Sequence, residues 1–191
     1  MYLTANNFYK KFSEKIADIP MDDYTTIKHY TTVIIELLKK ILTDDFGLNW
    51  SKEYYRLDLC AWETSSEIIS AQTTAVGLTP YLWDLKIAIE HENDKKLWLD
   101  ELVKIVHIHC PLKVVIGYNY CDMRDDEKFG DFNKLKIATD IMQHVKAFKT
   151  NIDEEYLVIL GNAAGIKEKR YYTFDYRGYL YDYNKQEFIK L

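Results

Sequence analysis

Cysteine is scarce in this chain: three residues in 191, Cys60, Cys110 and Cys121, with no CxxC pair among them. An odd, unclustered set argues against a disulfide frame and predicts reduced thiols in a cytoplasmic protein. Long apolar runs are missing too; none approaches the ~18 residues that a membrane-crossing helix requires. The opening Met-Tyr-Leu-Thr-Ala-Asn-Asn-Phe-Tyr-Lys-Lys-Phe lacks the apolar centre of a signal peptide. Nor is there a surplus of positive charge. Lys and Arg total 25 against 30 Asp and Glu, a net charge of −5, which speaks against broad nonspecific polyanion binding but leaves room for a local basic groove. The GxxxxGK[ST], GxGxxG and GxSxG patterns are absent, so phosphate-loop, dinucleotide and hydrolase-elbow functions have no support. Repeats and low-complexity tracts are absent as well.

What is present can build a core. The chain is 48% hydrophobic and 15% aromatic, with sixteen tyrosines crowded towards the C-terminus. Its length fits one domain over 1–191, with a helical part at 1–47, an α/β core at 50–160 and a C-terminal hairpin at 161–191. Phe8, Phe12 and Ile16 recur at helical spacing over 4–18, and Pro20 closes that helix. A longer helix, capped by Asp22 or Asp23, carries Ile27, Tyr30, Ile34, Leu37, Leu38 and Ile41 and ends before Gly47. Strands are predicted at about 54–63 and 82–92, separated by the polar stretch 64–79. Asn93 or Asp94 caps a helix bearing Leu97, Leu99, Leu102, Val103 and Val106, which Pro111 ends. Residues 112–118 read as a central strand, 131–149 as a helix, 156–160 as a strand, and a tyrosine-rich hairpin turns around Arg177-Gly178. The strand–helix–strand pass implies a parallel pair. The fold class is α/β, a mixed central sheet flanked by helices.

The chemistry concentrates in three carboxylates. Asp58 lies in Tyr-Arg-Leu-Asp-Leu-Cys-Ala-Trp (55–62), and Glu90 and Glu92 end Leu-Trp-Asp-Leu-Lys-Ile-Ala-Ile-Glu-His-Glu-Asn (82–93). Side chains two apart on a strand share a face, so Glu90 and Glu92 are expected to project together, and pairing of the two strands brings Asp58 to them. Clustered carboxylates repel unless a cation lies between them, and hard oxygen donors suit Mg²⁺ or Mn²⁺.

This order and these residues resemble the PD-(D/E)xK, or restriction-endonuclease-like, nuclease superfamily. That family has an α-β-β-β-α-β core, with Asp on one strand of a hairpin, (Asp/Glu)-x-Lys on the next, and a helix after it. Asp58 matches the Asp and Glu90 the first position of the second motif, while Glu92 stands where the family has Lys. Lys104, in Trp-Leu-Asp-Glu-Leu-Val-Lys (98–104), occupies a helix position from which a migrated lysine could reach back, with Glu101 one turn before it. The resemblance covers roughly 50–120. It implies a metal-dependent nuclease hydrolysing phosphodiester bonds in nucleic acid, DNA rather than RNA. Asp58 and Glu90 would bind Mg²⁺ or Mn²⁺, with Glu92 or the His91 carbonyl completing the set. Lys104, or less directly Glu92, would orient the attacking water or offset transition-state charge. Many nucleases of this fold act as dimers, so a homodimer is an open expectation. Glu36 on the second helix is a weaker, outer candidate.

Each of these residues has a plainer reading. Carboxylates at strand ends are often merely solvated, Lys104 with Glu101 fits a surface ion pair, and a nuclease-like scaffold can bind without cutting. That last reading makes the chain a non-catalytic interaction or inhibitor protein. His107 and His109 lie about 200° apart around a helix and cannot share an ion there. His91 alternates away from Glu90 and is expected on the other sheet face, and Cys60 reads as core. Lys134, Lys136, Lys146 and Lys149, with Lys167, Lys169, Arg170, Tyr171 and Tyr172, form either a solvated face or a cationic, aromatic edge for a nucleic acid strand.

Overall fold

The computed structural model describes residues 1–19, 27–54, 56–63, 71–72, 74–77, 84–94, 96–119, 130–145, 153–162 and 176–191. Seven strands form one sheet in sequential order: β1 (Asn49–Tyr54), β2 (Leu57–Trp62), β3 (Leu85–His91), β4 (Leu112–Asn119), β5 (Glu155–Asn162), β6 (Arg177–Asp182) and β7 (Glu187–Lys190). The β3–β4 and β4–β5 pairs are parallel and the rest antiparallel. The protein is therefore α/β with a mixed sheet flanked by helices, as its sequence pattern implies.

Helices α1 (Ala5–Ile16) and α2 (Ile27–Lys40) cover one face. Thr4 caps α1 by accepting from the Asn7 amide at 3.2 Å, and Phe8, Phe12 and Ile16 are buried on one side of it. Helix α2 runs on through a π-helical turn, Ile41–Asp45, and stops at Gly47, whose φ of 67° closes the helix in the left-handed region. Their apolar sides pack on Leu59, Ile87, Ile89, Val114, Ile116 and Leu157. Helices α3 (Trp98–Val106) and α4 (Asp131–His144) cover the opposite face, where Trp98, Leu102 and Ile105 meet Cys60, Ala88, Val115, Val158 and Leu160. Strand β4, paired on both edges and covered on both faces, is buried at all eight positions. No helix among the described residues is long and apolar enough to cross a membrane.

Three boundaries differ from the sequence reading. The strand expected at about 54–63 is β2, and a further strand not expected from the sequence, β1, precedes it, folded back on β2 at Arg56, which takes a left-handed φ of 62°. Strand β1 is largely exposed and carries no apolar alternation, so periodicity does not reveal it. The order before α3 is thus α-α-β-β-β rather than α-α-β-β. Leu97, not Asn93 or Asp94, precedes α3 as its cap residue; the Asp94 carboxylate instead accepts from the Lys96 amide, one turn earlier. Arg177 and Gly178 do not form the C-terminal turn. They open β6, where the Tyr9 ring lies over Gly178 so closely that a Cβ would come within 2.8 Å of it. The β6–β7 reversal falls at 183–186, where Asp182 accepts from the Asn184 and Lys185 amides and Gln186 has a φ of 56°.

Candidate functional site

The β2–β3 register sets the site. Leu59 pairs with Ile89 and Cys60 with Ala88, so one step further along the same register Asp58 stands opposite Glu90. Both alternate onto the face of Cys60 and Ala88, under α3. Asp58 is fixed by the His91 amide, which donates to Oδ2 at 2.8 Å. Glu90 is almost completely buried, at 1% exposure.

Helix α3 delivers a cation to this pair. Gly117 on β4 lets Trp98 approach the sheet closely; a Cβ there would be 2.6 Å from the Trp98 Cγ. Seated this way, the helix brings the Lys104 ammonium to 2.9 Å from Glu90 Oε1 and 2.5 Å from Glu101 Oε2, and Lys104 donates to the Arg56 carbonyl at 3.1 Å. Asp58, Glu90 and Lys104 therefore do meet, although they come from three elements. Glu101 joins them as a further carboxylate.

Burial shapes the electrostatics. Loss of solvent pushes Glu90 up to about 8; Lys104 opposes that, while Asp58 and Glu101 add to it. Asp58 is raised by burial as well, against the pull of the His91 amide and Lys104. Burial draws Lys104 down, but Glu101 and Glu90 outweigh it and leave the ammonium more firmly protonated than usual. Below about pH 8 the Glu90 carboxyl thus holds its proton. The Lys104 ammonium is 2.9 Å from Glu90 Oε1 and no further donor among the described residues is in hydrogen-bond geometry with either Glu90 oxygen, so when ionised this buried carboxylate depends on that cation.

Glu92 is placed differently from its expected role. Strand β3 ends at His91, so the alternation that would align Glu92 with Glu90 stops short of it. Its amide donates to the Ile116 carbonyl and its Oε1 accepts from the Asp94 amide at 2.7 Å, binding the carboxylate into a turn. Asp58 and Glu90 fit a hard divalent ion by their donor type and the unmatched Glu90 oxygen. Even so, no set of three His, Cys, Asp or Glu side chains among the described residues is arranged to hold one. Glu36 lies on α2, over the opposite face from α3, where it pairs with Lys39 at 2.6 Å and Lys52 at 3.3 Å. These lysines, Lys39 foremost, hold its carboxyl below the usual range. It has no part in this site.

His91 does face the other side of the sheet. Its Nε2 lies 2.8 Å from the Tyr118 hydroxyl, which donates to Tyr30 at 2.8 Å. A phenol has one proton, so with Tyr118 donating to Tyr30 the His91 Nε2–H donates to Tyr118. Burial pulls the imidazole down to about 3, leaving it neutral. Cys60 is buried and pushed up to about 11 by desolvation, so it is an inert thiol.

A second polar constellation caps the carboxyl ends of β4 and β5, and nothing in the sequence pattern announces it. Asn119 accepts from the Trp98 indole at 3.1 Å and donates to Asp131 at 2.8 Å. Arg177 binds Asp131 at 2.5 Å through Nε and Asn162 at 2.6 Å through Nη1, and Tyr179 donates to Asp131 at 2.9 Å. Burial works against the Asp131 charge, but Arg177, Asn119 and Tyr179 prevail and hold its carboxyl below the usual range. Nearby, Lys134 is buried, donates to the Lys96 carbonyl at 3.2 Å and sits over the Trp98 ring. Lys136 is exposed on α4; Lys146, Lys149, Lys167, Lys169, Arg170, Tyr171 and Tyr172 lie outside the described residues. Comparison with family models, with curated proteins and with solved structures gave no match.

Proposed function

We propose that this chain is a metal-dependent nuclease of the PD-(D/E)xK type that hydrolyses phosphodiester bonds, with DNA as the substrate favoured over RNA. One observation carries the reading: Asp58, Glu90 and Lys104, from two paired strands and the helix that follows, converge on one face of the sheet. The order α2-β1-β2-β3-α3-β4 also supplies the α-β-β-β-α-β core that this family shares.

In this reading Asp58 and Glu90 hold Mg²⁺ or Mn²⁺. When bound, the ion supplies charge neutralisation at the scissile phosphate and a more acidic water. The chain's own residues do the rest. The His91 amide keeps Asp58 oriented towards the pair, and the apolar floor of Cys60 and Ala88 keeps bulk water from beneath it. Lys104 directs the attacking water and offsets charge on the phosphoryl oxygens. A P–O bond forms to that water as the bond to the leaving oxygen breaks, giving a phosphomonoester and a hydroxyl. Lys104, from α3, takes the place of the motif lysine, since position 92 is Glu.

The engagement of the Glu92 carboxylate with the Asp94 amide favours a second reading, a nuclease-like scaffold that binds a protein partner without cutting. One experiment separates the two. Wild type and Asp58→Ala are incubated with plasmid DNA, single-stranded DNA and RNA in Mg²⁺ or Mn²⁺, alongside thermal unfolding with and without the metal. Metal-dependent cleavage, and a metal-induced rise in Tm, that both vanish in Asp58→Ala are expected. Cleavage retained by Asp58→Ala refutes the assignment. No cleavage and no metal shift in wild type favours the scaffold.

A further inference from the structure

Strand β7 is an open edge of the sheet: it pairs with β6, and no strand among the described residues pairs with its other side. Its register with β6 fixes which backbone groups are spare. The Leu191 amide donates to the Gly178 carbonyl at 3.0 Å, while Lys190 stands opposite Tyr179 and Ile189 opposite Leu180. Antiparallel partners alternate between pairs that exchange hydrogen bonds and pairs that do not. Two residues before Leu191, Ile189 therefore bonds to β6, whereas Phe188 and Lys190 turn their N–H and C=O groups outward. The side chains of these same two residues line a cavity of about 490 Å³ between β7 and α4, with Phe132, Leu135 and Thr139 from the helix and Tyr179 from β6. At the hairpin end Gln143 donates to the Gln186 carbonyl at 2.9 Å and ties α4 to the strands. At the other end Phe132 is 61% exposed. An unpaired strand edge thus runs beside a groove that can take every second side chain of an added strand.

We infer that this groove binds an extended segment of a partner protein, which adds to β7 as an antiparallel strand. The segment carries an acidic residue opposite Lys190 and, two residues later, a large apolar one opposite Phe188. Charge supports that order. Lys136 and Lys190 both line the groove, and neither makes an ion pair among the described residues; Asp131 is already matched by Arg177, which leaves Glu187 against two ammonium groups. Lysine on an edge strand discourages indiscriminate pairing, so an acidic strand is the one admitted. A second copy of the chain fits poorly. Antiparallel pairing of β7 with itself, outward residues facing, sets Lys190 opposite Phe188, Gln186 or Lys190 of the other copy, never a carboxylate. The surface is also separate from the Asp58–Glu90 site and independent of its chemistry. Glu90, Val115, Val158, Tyr179 and Lys190 form one row across the sheet, so four strand spacings, about 19 Å, part Glu90 from Lys190.

Selection of a phage-displayed random octapeptide library on the immobilised full chain tests this, the selected peptides then being resynthesised and their affinity measured by fluorescence anisotropy. Enrichment of an acidic residue two positions before a large apolar one is expected. Two variants isolate the backbone contribution, because the outward Lys190 N–H takes no part in the β6 ladder. Lys190→Ala removes the ammonium; Lys190→Pro removes the outward donor as well, at an edge position where proline is tolerated. Peptide affinity is expected to fall several-fold in Lys190→Ala and several-fold further in Lys190→Pro. Amide hydrogen exchange on wild type supplies a readout that needs no variant: the peptide should newly protect Phe188 and Lys190 but not Ile189, which β6 already holds. No enriched motif, or a different one, overturns the proposal. Equal affinity in the Ala and Pro variants, or no new protection at Phe188 and Lys190, overturns strand addition. A short single-stranded DNA that protects these amides and displaces the peptide assigns the groove to nucleic acid instead. Concentration-dependent dimerisation that Lys190→Pro abolishes assigns the edge to a second copy; either result overturns the inference.

Discussion

Glu90→Gln in metal-free buffer should make the protein more stable at high pH and change little at low pH. The folded carboxyl titrates at about 8 because burial outweighs the help of Lys104, against 4.5 in the unfolded chain. A folded pKa above the unfolded one means that the folded state holds the proton more tightly. Stability from this group is therefore fully present below pH 4.5 and lost as pH rises through about 8. At 1.36 kcal/mol per pKa unit the loss is about 5 kcal/mol at most, and relaxation around the ionised group reduces it to a few kcal/mol. Asp58, also raised, pushes in the same direction. Glutamine keeps the shape and cannot ionise, and Lys104 retains Glu101 and the Arg56 carbonyl. Urea denaturation of both proteins from pH 5 to 9 in EDTA measures the effect. Wild type should lose stability across that range while Glu90→Gln stays nearly level, the curves diverging by a few kcal/mol at pH 9. Parallel curves would show that Glu90 is solvated in solution and that the buried pair does not exist as described.

Two further substitutions probe the parts that position the site. Gly117→Ala drives a Cβ into the Trp98 ring; overpacking of this kind costs about 1–3 kcal/mol, and the displaced indole should report it as a change in tryptophan fluorescence. A variant with native stability and fluorescence would mean that α3 is not seated through this contact. Arg177→Met strips Asp131 of its counter-charge while Asn119 and Tyr179 remain. Asp131 is partly exposed and keeps those two donors, so losing the charge-assisted bonds is expected to cost about 1–3 kcal/mol at pH 7. The Asp131 pKa is depressed in wild type, so its stabilisation is present above the unfolded value of 3.8 and fades as the pH falls below it; the variant's deficit should shrink below pH 4. A deficit that stays constant with pH would assign the loss to packing.

The legibility of this chain follows the kind of interaction involved. Helices α1 and α2 and strand β4 show in the sequence because each buries a repeating apolar face, and burial leaves a period. Strand β1 does not show, because an exposed edge strand is held by backbone pairing that selects no side chain. The turn at 183–186 is invisible for a related reason: it depends on Asp182 and on the left-handed φ of Gln186, a residue type that does not advertise that conformation. Asp58 and Glu90 were recognisable from strand alternation and order. Glu92 followed the same rule one residue too far, since alternation holds only while the strand lasts. Glu101 shows by its i,i+3 spacing to Lys104, whereas the Arg56 carbonyl does not, because a backbone oxygen leaves no mark in the sequence and reaches the site from the β1–β2 turn.

The sequence by itself determined the α/β class and the face of each long element through local periodicity, and strand alternation singled out Asp58 and Glu90; Lys104 became a candidate only through the resemblance to restriction-endonuclease-like proteins. Only the tertiary structure decided that α3 lies close enough over β3 for Lys104 to sit between Glu90 and Glu101, and that the Asp94 turn engages Glu92. It also decided that the Glu90 carboxyl is buried enough to retain its proton near neutral pH. Distance and solvent exclusion set those energies, and neither is a property of residues near one another in the chain.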